Sequence, residues 1–332
     1  MLDGSCDAYL VFKINLKDMF ASAAGADGDE EDWAMPMRNF PRPVARFDTL
    51  PGRPERLDLA VVSGSGGTNI VAVSSDRRTV IYDAAAAAEV PCGRELRHCM
   101  TNGTTLIPLG TRLYAVATNL RPPTSYSRPS FQALRPPPPS SSRGRWSWHA
   151  LPAPPRDLYR MGSDRERAFC YVAASLAAGT RVWVSAPDRG TFSFDTARHA
   201  WRKEGYWELP FGRRGLVVPD LGLCFGICPR RLCLCAFDVP TSGAGEPPAV
   251  RYVWQDESYP RECGDRGFHV RSGSLAYMGG DKFCIAWTIA VEYAGERMMV
   301  PSRFALFLMA VKSSGALLVV SQLPPGPESC GC

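Results

Sequence analysis

The 332-residue sequence lacks a long apolar run and a recognisable secretory signal. Its strongest apolar run, Phe304 to Val311, has eight residues, whereas a helix that spans a bilayer needs roughly 18. The first residues carry an aspartate where a signal peptide has basic charge, and no long apolar stretch follows. We therefore expect a cytoplasmic or nuclear protein without a membrane partner.

Lysine is scarce, because only five of the 38 basic residues are lysine and the rest are arginine. With 29 prolines and 30 glycines, this composition is typical of a chain encoded by GC-rich DNA. The net charge of +5 is small, and the arginines do not form the basic stripe interleaved with aromatic residues that nucleic-acid binders carry. We therefore do not expect nucleic acid as the partner.

Helical periodicity is also missing, since no long segment repeats its apolar residues every 3.6 positions. Apolar residues nevertheless make up 45% of the chain, which is enough for a folded core. Twelve cysteines without a secretory signal predict reduced thiols. The remaining signal is that of short strands separated by turns, which indicates an all-β protein.

Residues 181–201 contain the most informative strand pattern. An apolar strand ends in a turn at 187–190, and a second strand follows in which aromatic and hydroxyl side chains alternate. That strand stops at Asp195, and Trp201 follows six residues later. The order of strand, turn, strand, aspartate and tryptophan is typical of a blade in a kelch-type β-propeller.

The pattern repeats along the chain. An aromatic residue followed by aspartate ends a strand in three places: Tyr82-Asp83, Phe194-Asp195 and Phe237-Asp238. The last two aspartates are 43 residues apart, the length of a four-stranded blade. We predict a single β-propeller domain of four-stranded antiparallel blades over residues 1–332. About five blades are well marked, and strands at 9–15 and 43–48 would complete a sixth with the C-terminal strands; five and seven blades remain open.

These segments resemble kelch-type propellers. The hairpin from Leu223 to Asp238 adds to the resemblance, as do the segments 148–152 and 207–210, which both run from Trp to Leu-Pro. More closely, residues 57–322 resemble a plant family, abundant in grasses, of kelch-like proteins related to F-box-associated propellers. The double glycine that kelch repeats carry after their second strand is missing. The resemblance implies a propeller and a protein-binding role, and it carries over no catalytic residue.

Two segments interrupt the strand pattern and are predicted to be loop insertions. Residues 21–42 are acidic, and residues 120–145 are rich in proline and arginine. Paired guanidinium groups and an aromatic ring can bind an acidic peptide, a phosphopeptide or RNA. The candidate binding residues at the exit of the second segment are Arg135, Arg143, Arg145 and Trp146. The alternative is a solvated loop stiffened by proline.

Four cysteines are clustered on two adjacent strands: Cys224, Cys228, Cys233 and Cys235. They are separated by three, four and one residues, whereas zinc sites favour pairs of cysteines in a loop that wraps the metal. We interpret them as core thiols and expect no metal site and no cofactor.

The sequence contains no recognisable catalytic constellation, so we expect a protein that is not an enzyme. We predict a monomeric protein-protein interaction module whose partner is a protein of unknown identity. A substrate-receptor type of adaptor is one form of it, although the first 50 or so residues lack the helical pattern of an F-box. The alternatives are an enzyme or metal-binding protein that uses the central channel, and RNA binding through the arginine-rich loop.

Overall fold

The computed structural model describes residues 2–3, 8–13, 42–48, 57–64, 67–74, 77–94, 96, 104–117, 130–138, 144–159, 169–177, 179–229, 232–243, 245–254, 268–280, 282–291, 303–312 and 317–323. Within these ranges the chain forms strands and two short 3₁₀ turns, at Arg156–Leu158 and Pro219–Leu221, and no α-helix. In the same ranges no helix is long and apolar enough to span a membrane.

Contacts divide the chain into two compact units. The first unit comprises residues 1–11, 44–215 and 240–248, and the second comprises residues 12–43, 216–239 and 249–332. The single domain over 1–332 stays a prediction, and each unit is described by itself below.

Three N-terminal strands form the first sheet: β1 (Leu2–Asp3), β2 (Ala8–Phe12) and β3 (Pro43–Asp48). Strands were predicted at 9–15 and 43–48, and both segments contain one. The predicted pairing of these strands with C-terminal strands is wrong for the described residues, because β1, β2 and β3 form a sheet of their own. The predicted number of blades stays a prediction.

The next sheet has four antiparallel strands that neighbour each other in chain order: β4 (Leu57–Gly64), β5 (Gly67–Ser74), β6 (Thr79–Asp83) and β7 (Ala88–Val90). The last four residues of β5, from Val71 to Ser74, are all buried, so both faces of this strand are covered.

The following sheet has five strands: β8 (Cys92–Arg94), β9 (Thr104–Leu109), β10 (Arg112–Ala117), β11 (Phe131–Arg135) and β12 (Trp146–Ala150). β9 to β12 form an antiparallel meander, and β8 adds to the outer edge of β12 in parallel. β8 thereby covers backbone groups that an edge strand would expose.

The last sheet of the first unit contains β13 (Cys170–Leu176), β14 (Gly179–Ala186), β15 (Gly190–Asp195) and β16 (Ala200–Gly205), all antiparallel. β17 (Gly212–Val218) pairs with β13 in parallel at Arg214 and Gly215. One face of β14 and β15 packs into a core with β10 and β11, in which the ring centres of Phe131 and Phe194 are 4.8 Å apart. Trp201 of β16 borders this core.

The second unit contains the end of β17 and two further runs of antiparallel strands. They are β18 (Leu223–Ile227), β19 (Leu234–Asp238) and β20 (Val250–Trp254), and then β21 (Phe268–Gly279), β22 (Lys282–Val291), β23 (Arg303–Lys312) and β24 (Leu317–Leu323). Phe225, Phe283 and Trp287 lie at the centre of its core. The predicted fold class is confirmed: the chain is all-β and is built from consecutive antiparallel sheets.

Each of the three aspartates that marked the repeat ends a strand with an antiparallel neighbour on both sides, namely β6, β15 or β19, so they occupy equivalent places, as predicted. Asp83 and Asp195 accept hydrogen bonds from backbone N–H groups two and three residues ahead, which closes the turn to the fourth strand. Asp238 instead binds the Arg251 guanidinium through both carboxylate oxygens, at 2.7 Å each.

The two Trp-to-Leu-Pro segments are not equivalent. Trp148 lies within β12, the fourth strand of its meander, whereas Trp207 follows the end of β16 at Gly205. The segment 207–210 therefore belongs to a connection between strands, and that connection forms the site described next.

Candidate interaction site

The structure describes three of the four predicted binding residues, and Arg135 pairs with Ser147, next to Trp146, across β11 and β12. Arg135 ends β11, is half-buried, and its Nε atom has no hydrogen-bond partner in the described parts of the chain. Arg145 is exposed just before β12, and Arg143 lies outside the described residues. Trp146 is only 5% exposed and packs in the core between β4–β7 and β9–β12. The expectation that Trp146 offers a stacking surface is therefore wrong, because its ring is covered by core residues.

The predicted insertion at 120–145 contains a strand rather than a single loop. Residues 131–135 form β11, which pairs with β10 on one side and β12 on the other. The segments 118–129 and 139–143 lie outside the described residues, as do residues 14–41, which include nearly all of the predicted acidic insertion.

The cysteine cluster lies in the β18–β19 hairpin, and Cys224, Cys233 and Cys235 are buried. Burial raises the pKa of the Cys235 thiol to about 12 and raises that of Cys224 still further, so both thiols are protonated at neutral pH. A metal needs thiolates. In the described ranges no three His, Cys, Asp or Glu side chains are grouped so that they could hold a metal ion.

Residues 206–211 join β16 to β17, and we call them, together with Gly205 at the end of β16 and residues 212–215 of β17, the 205–215 connection. Its backbone is bound to buried hydroxyl groups of β14 and β15. Thr191 donates from its Oγ1 to the carbonyl oxygen of Trp207 over 2.7 Å, and the N–H of Leu209 donates to Ser185 Oγ over 3.0 Å. The two hydroxyls lie 2.6 Å apart. Because these groups are buried, the connection has a defined backbone position.

Gly190, which begins β15, allows this close approach. Its φ of +87° lies in the region that favours glycine. A Cβ at this position would overlap the carbonyl oxygen of Gly205 and lie 2.8 Å from the Cα of Tyr206. The connection is therefore packed directly against the backbone of the β14–β15 turn.

Tyr206 projects from the fixed backbone and is 86% exposed. The Nζ atom of Lys203 lies 3.6 Å from the centre of its ring and 5.5 Å from that of Phe192. The ammonium group thus bridges a core aromatic residue and an exposed one. The result is a large, exposed amphipathic side chain with a cation against its ring.

Glu204 anchors a second segment beside the connection. Its side chain is fully buried and accepts hydrogen bonds from Ser193 Oγ at 2.5 Å, Ser242 Oγ at 2.9 Å and the N–H of Gly243 at 2.6 Å. Burial alone would raise the pKa of this carboxyl group. The hydrogen bonds and the charge of Arg202 outweigh burial and lower the pKa below its usual range.

Two exposed arginines end the connection. Phe211 is fully buried and lies against Gly215, where a Cβ would come within 2.5 Å of its ring. Between them, Arg213 has a φ of +60°, and both it and Arg214 are exposed. Within the described part of the chain neither guanidinium has a hydrogen bond or ion pair. The site therefore combines a tyrosine and two unpaired arginines on a rigid connection, and these residue types are enriched in protein interfaces.

Sequence reasoning did not find this site. The only signal was the Trp-to-Leu-Pro motif at 207–210. The two adjacent arginines at 213–214 carried no pattern beyond the general abundance of arginine.

The solved structures that match the chain share little sequence with it. The β-propeller domain of Cps50 (Swd1) from Myceliophteria thermophila has 12% identity and a TM-score of 0.43, with 86% of this chain and 77% of that chain covered. The SapL1 lectin in complex with alpha methyl fucoside has 10% identity and a TM-score of 0.40, with coverages of 81% and 82%. BamB from Moraxella catarrhalis has 10% identity and a TM-score of 0.32, with coverages of 84% and 79%. We draw no functional conclusion from these likenesses.

The sequence itself gives a clearer match. The family described as "Protein of unknown function (DUF1668)" matches residues 1–320. No curated protein matches the chain.

Proposed function

This chain belongs to the DUF1668 family, and we propose that it is a non-enzymatic protein-interaction module whose contact surface is the 205–215 connection. The observation that carries the proposal is Tyr206, which is 86% exposed on a backbone held by buried hydrogen bonds. Such an exposed side chain adds little to the stability of the fold, whereas a tyrosine that is already positioned can bind a partner at a low entropic cost.

Rigid strands with a functional connection between them are a common design for binding proteins. The hydroxyls of Ser185 and Thr191 hydrogen-bond to the backbone of the connection. Glu204 accepts hydrogen bonds from Ser242 and Gly243 of the neighbouring segment. The exposed arginines at 213 and 214 add positive charge, so the surface favours a partner with an acidic contact segment.

The test is affinity capture from cytoplasmic and nuclear extracts of cells that express the protein naturally, followed by quantitative mass spectrometry. The bait is the full chain, as wild type, Tyr206→Ser and Tyr252→Ser. Tyr252 in β20 is the matched control, because it is 60% exposed but belongs to another strand in the second unit. We expect Tyr206→Ser to reduce recovery of the specific partner about tenfold, the effect of losing a hot-spot residue, and Tyr252→Ser to leave it unchanged.

Equal recovery with Tyr206→Ser and wild type would contradict the proposed surface. Loss of the partner with Tyr252→Ser alone would move the surface to β20. Both variants change exposed side chains, so near-native melting temperatures are expected and would show that lost capture does not reflect unfolding.

A further inference from the structure

We propose that Arg213 and Arg214, together with the hydroxyl group of Tyr171, bind the phosphate group of a phosphorylated segment of the partner protein. The inference rests on the proposed function, since the two arginines end the 205–215 connection, and it specifies the chemistry of the partner.

Among the described residues Arg213 and Arg214 have no acidic partner, although other arginines of the chain are paired. Arg181 donates to Asp195 over 2.9 Å, and Arg251 binds both oxygens of Asp238. In contrast, Arg213 and Arg214 form no ion pair with any described residue and are exposed. No described residue therefore occupies their guanidinium donors.

The second argument is the position of Tyr171. It lies on β13 directly opposite Arg214 of β17 in the parallel pair, so the two side chains project from the same face of the sheet. Burial raises the pKa of the Tyr171 hydroxyl, and the nearby charges of Arg214 and then Arg213 partly offset this rise. The phenol thus keeps its proton and can donate a hydrogen bond next to two positive charges.

The third argument is that the backbone holds the arginines in place. A non-glycine residue at a φ of +60° is uncommon and persists where its surroundings fix it. Here Phe211 packs on Gly215, where a Cβ would come within 2.5 Å of its ring. Less conformational freedom is then lost when an anion binds.

The number of donors favours phosphate over carboxylate. One guanidinium can satisfy both oxygens of a carboxylate through its two parallel N–H groups. Two guanidinium groups and a phenol exceed that requirement and match the three terminal oxygens of a phosphate monoester, whose charge of about −2 balances two arginines.

RNA fits this surface less well than a phosphorylated protein segment. Non-specific binding of single strands uses exposed aromatic faces on which successive bases stack. Tyr206 is the exposed aromatic residue of the connection, and one face of its ring is already covered by the Lys203 ammonium group. RNA is therefore an outcome that the test must exclude.

The test measures binding of fluorescein-labelled peptides to the full-length protein by fluorescence anisotropy. The three peptides share a Gly/Ser/Ala background and carry phosphoserine, glutamate or serine at the central position. We expect the phosphoserine peptide to bind at least tenfold more tightly than the glutamate peptide, with an affinity that falls as salt rises. Arg213→Gln/Arg214→Gln should reduce this affinity at least tenfold.

The matched control is Arg77→Gln/Arg112→Gln, which also removes two exposed arginines. Arg77 lies just before β6, and Arg112 begins β10. It should bind the phosphoserine peptide like wild type. Because all four arginines are exposed, near-native thermal melts are expected for both variants. Tyr171→Phe removes only the hydroxyl group, and we expect it to weaken phosphoserine-peptide binding less than the double arginine substitution does. Such a loss would assign that donor to the site.

Four results would overturn the inference. Two concern the peptides: equal binding of the phosphoserine and glutamate peptides, and unchanged binding by Arg213→Gln/Arg214→Gln. The other two are tighter binding of a single-stranded RNA of equal length, and binding of inorganic phosphate as tight as that of the peptide, which would indicate a free-phosphate site. If the phosphopeptide fails but Tyr206→Ser still loses the cellular partner, the phosphate site is wrong and the proposed function stands. If the phosphopeptide binds and Tyr206→Ser keeps the partner, the phosphate site stands and Tyr206 is not part of the contact surface.

Discussion

The Nζ atom of Lys203 lies 3.6 Å from the centre of the Tyr206 ring, although that tyrosine is 86% exposed. A cation against an exposed ring contributes about 0.5–1 kcal/mol, which is small for the stability of the fold. It is enough to favour one orientation of the ring. The contact therefore matters more for binding than for folding.

Removing this cation should weaken partner binding without unfolding the protein. We expect Lys203→Gln to lower partner affinity about threefold to tenfold, because the ring loses its preferred orientation, and to change the free energy of unfolding by less than about 1 kcal/mol. Titration with the captured partner and urea unfolding measure the two effects. Lys203→Arg keeps the cation and should retain most of the affinity; equal loss with both substitutions would contradict this role.

Gly190→Ala should be among the most destabilising small substitutions in the first unit. The new Cβ would require a left-handed backbone and would overlap backbone atoms of Gly205, which cannot rotate away. We expect a loss of about 3 kcal/mol or more, measured by urea unfolding. Gly110→Ala is the control, because Gly110 has a φ of +58° but no atom within 4 Å of the new Cβ, so only the backbone strain of about 1 kcal/mol remains. Similar losses for the two variants would rule out the close approach.

Glu204 should give the protein a pH-dependent stability. Its pKa in the folded state is below the ordinary value of 4.5, so its contribution is complete above pH 4.5 and is lost as the pH falls through the folded-state pKa. Wild type should therefore exceed Glu204→Gln in free energy of unfolding at pH 7, and the difference should shrink in acid. Urea unfolding at several pH values measures it; a difference that does not vary with pH would contradict the buried carboxylate.

The buried thiols should resist alkylation in the native protein. Burial raises the pKa of Cys284 to about 11 and that of Cys235 to about 12, so little reactive thiolate is present at pH 8. With iodoacetamide and peptide-level mass spectrometry, both should be modified much more slowly than the half-buried Cys228. In denaturant the three rates should converge. Fast native modification of Cys235 would revive the alternative of a thiolate metal site.

The sequence was sufficient for the strands with strong apolar alternation and sharp ends. β3 has the predicted bounds, and the turn at 187–190 lies between β14 and β15 as expected. Such strands bury one face, and their ends are marked by glycine or aspartate, so local chemistry determines them.

The first strands of the sheets were missed for a physical reason. β13 contains alanines, and β17 contains glycines and adjacent arginines. β13 is a strand because it forms hydrogen bonds with β14, and β17 because it pairs with β13. Such pairing is set by tertiary context rather than by propensity.

The candidate site was missed for the same kind of reason. Tyr206 is distinctive only because Gly190, Ser185 and Thr191 hold its backbone, and these residues come from a turn and strands earlier in the chain. Conversely, Trp146 looked like a surface aromatic beside arginine, but it occupies an inward position of β12. An arginine close in the sequence does not show which face of the sheet a strand residue occupies.

Site-specific photocrosslinking tests the central claim most directly. The photoreactive residue p-benzoylphenylalanine is placed at position 206, and separately at the exposed positions 252 and 145, in the otherwise unchanged chain. We expect a crosslink to the captured partner from position 206 and none from position 252 or 145. A crosslink from position 145 or 252 with none from position 206 would contradict the assignment of the 205–215 connection as the contact surface.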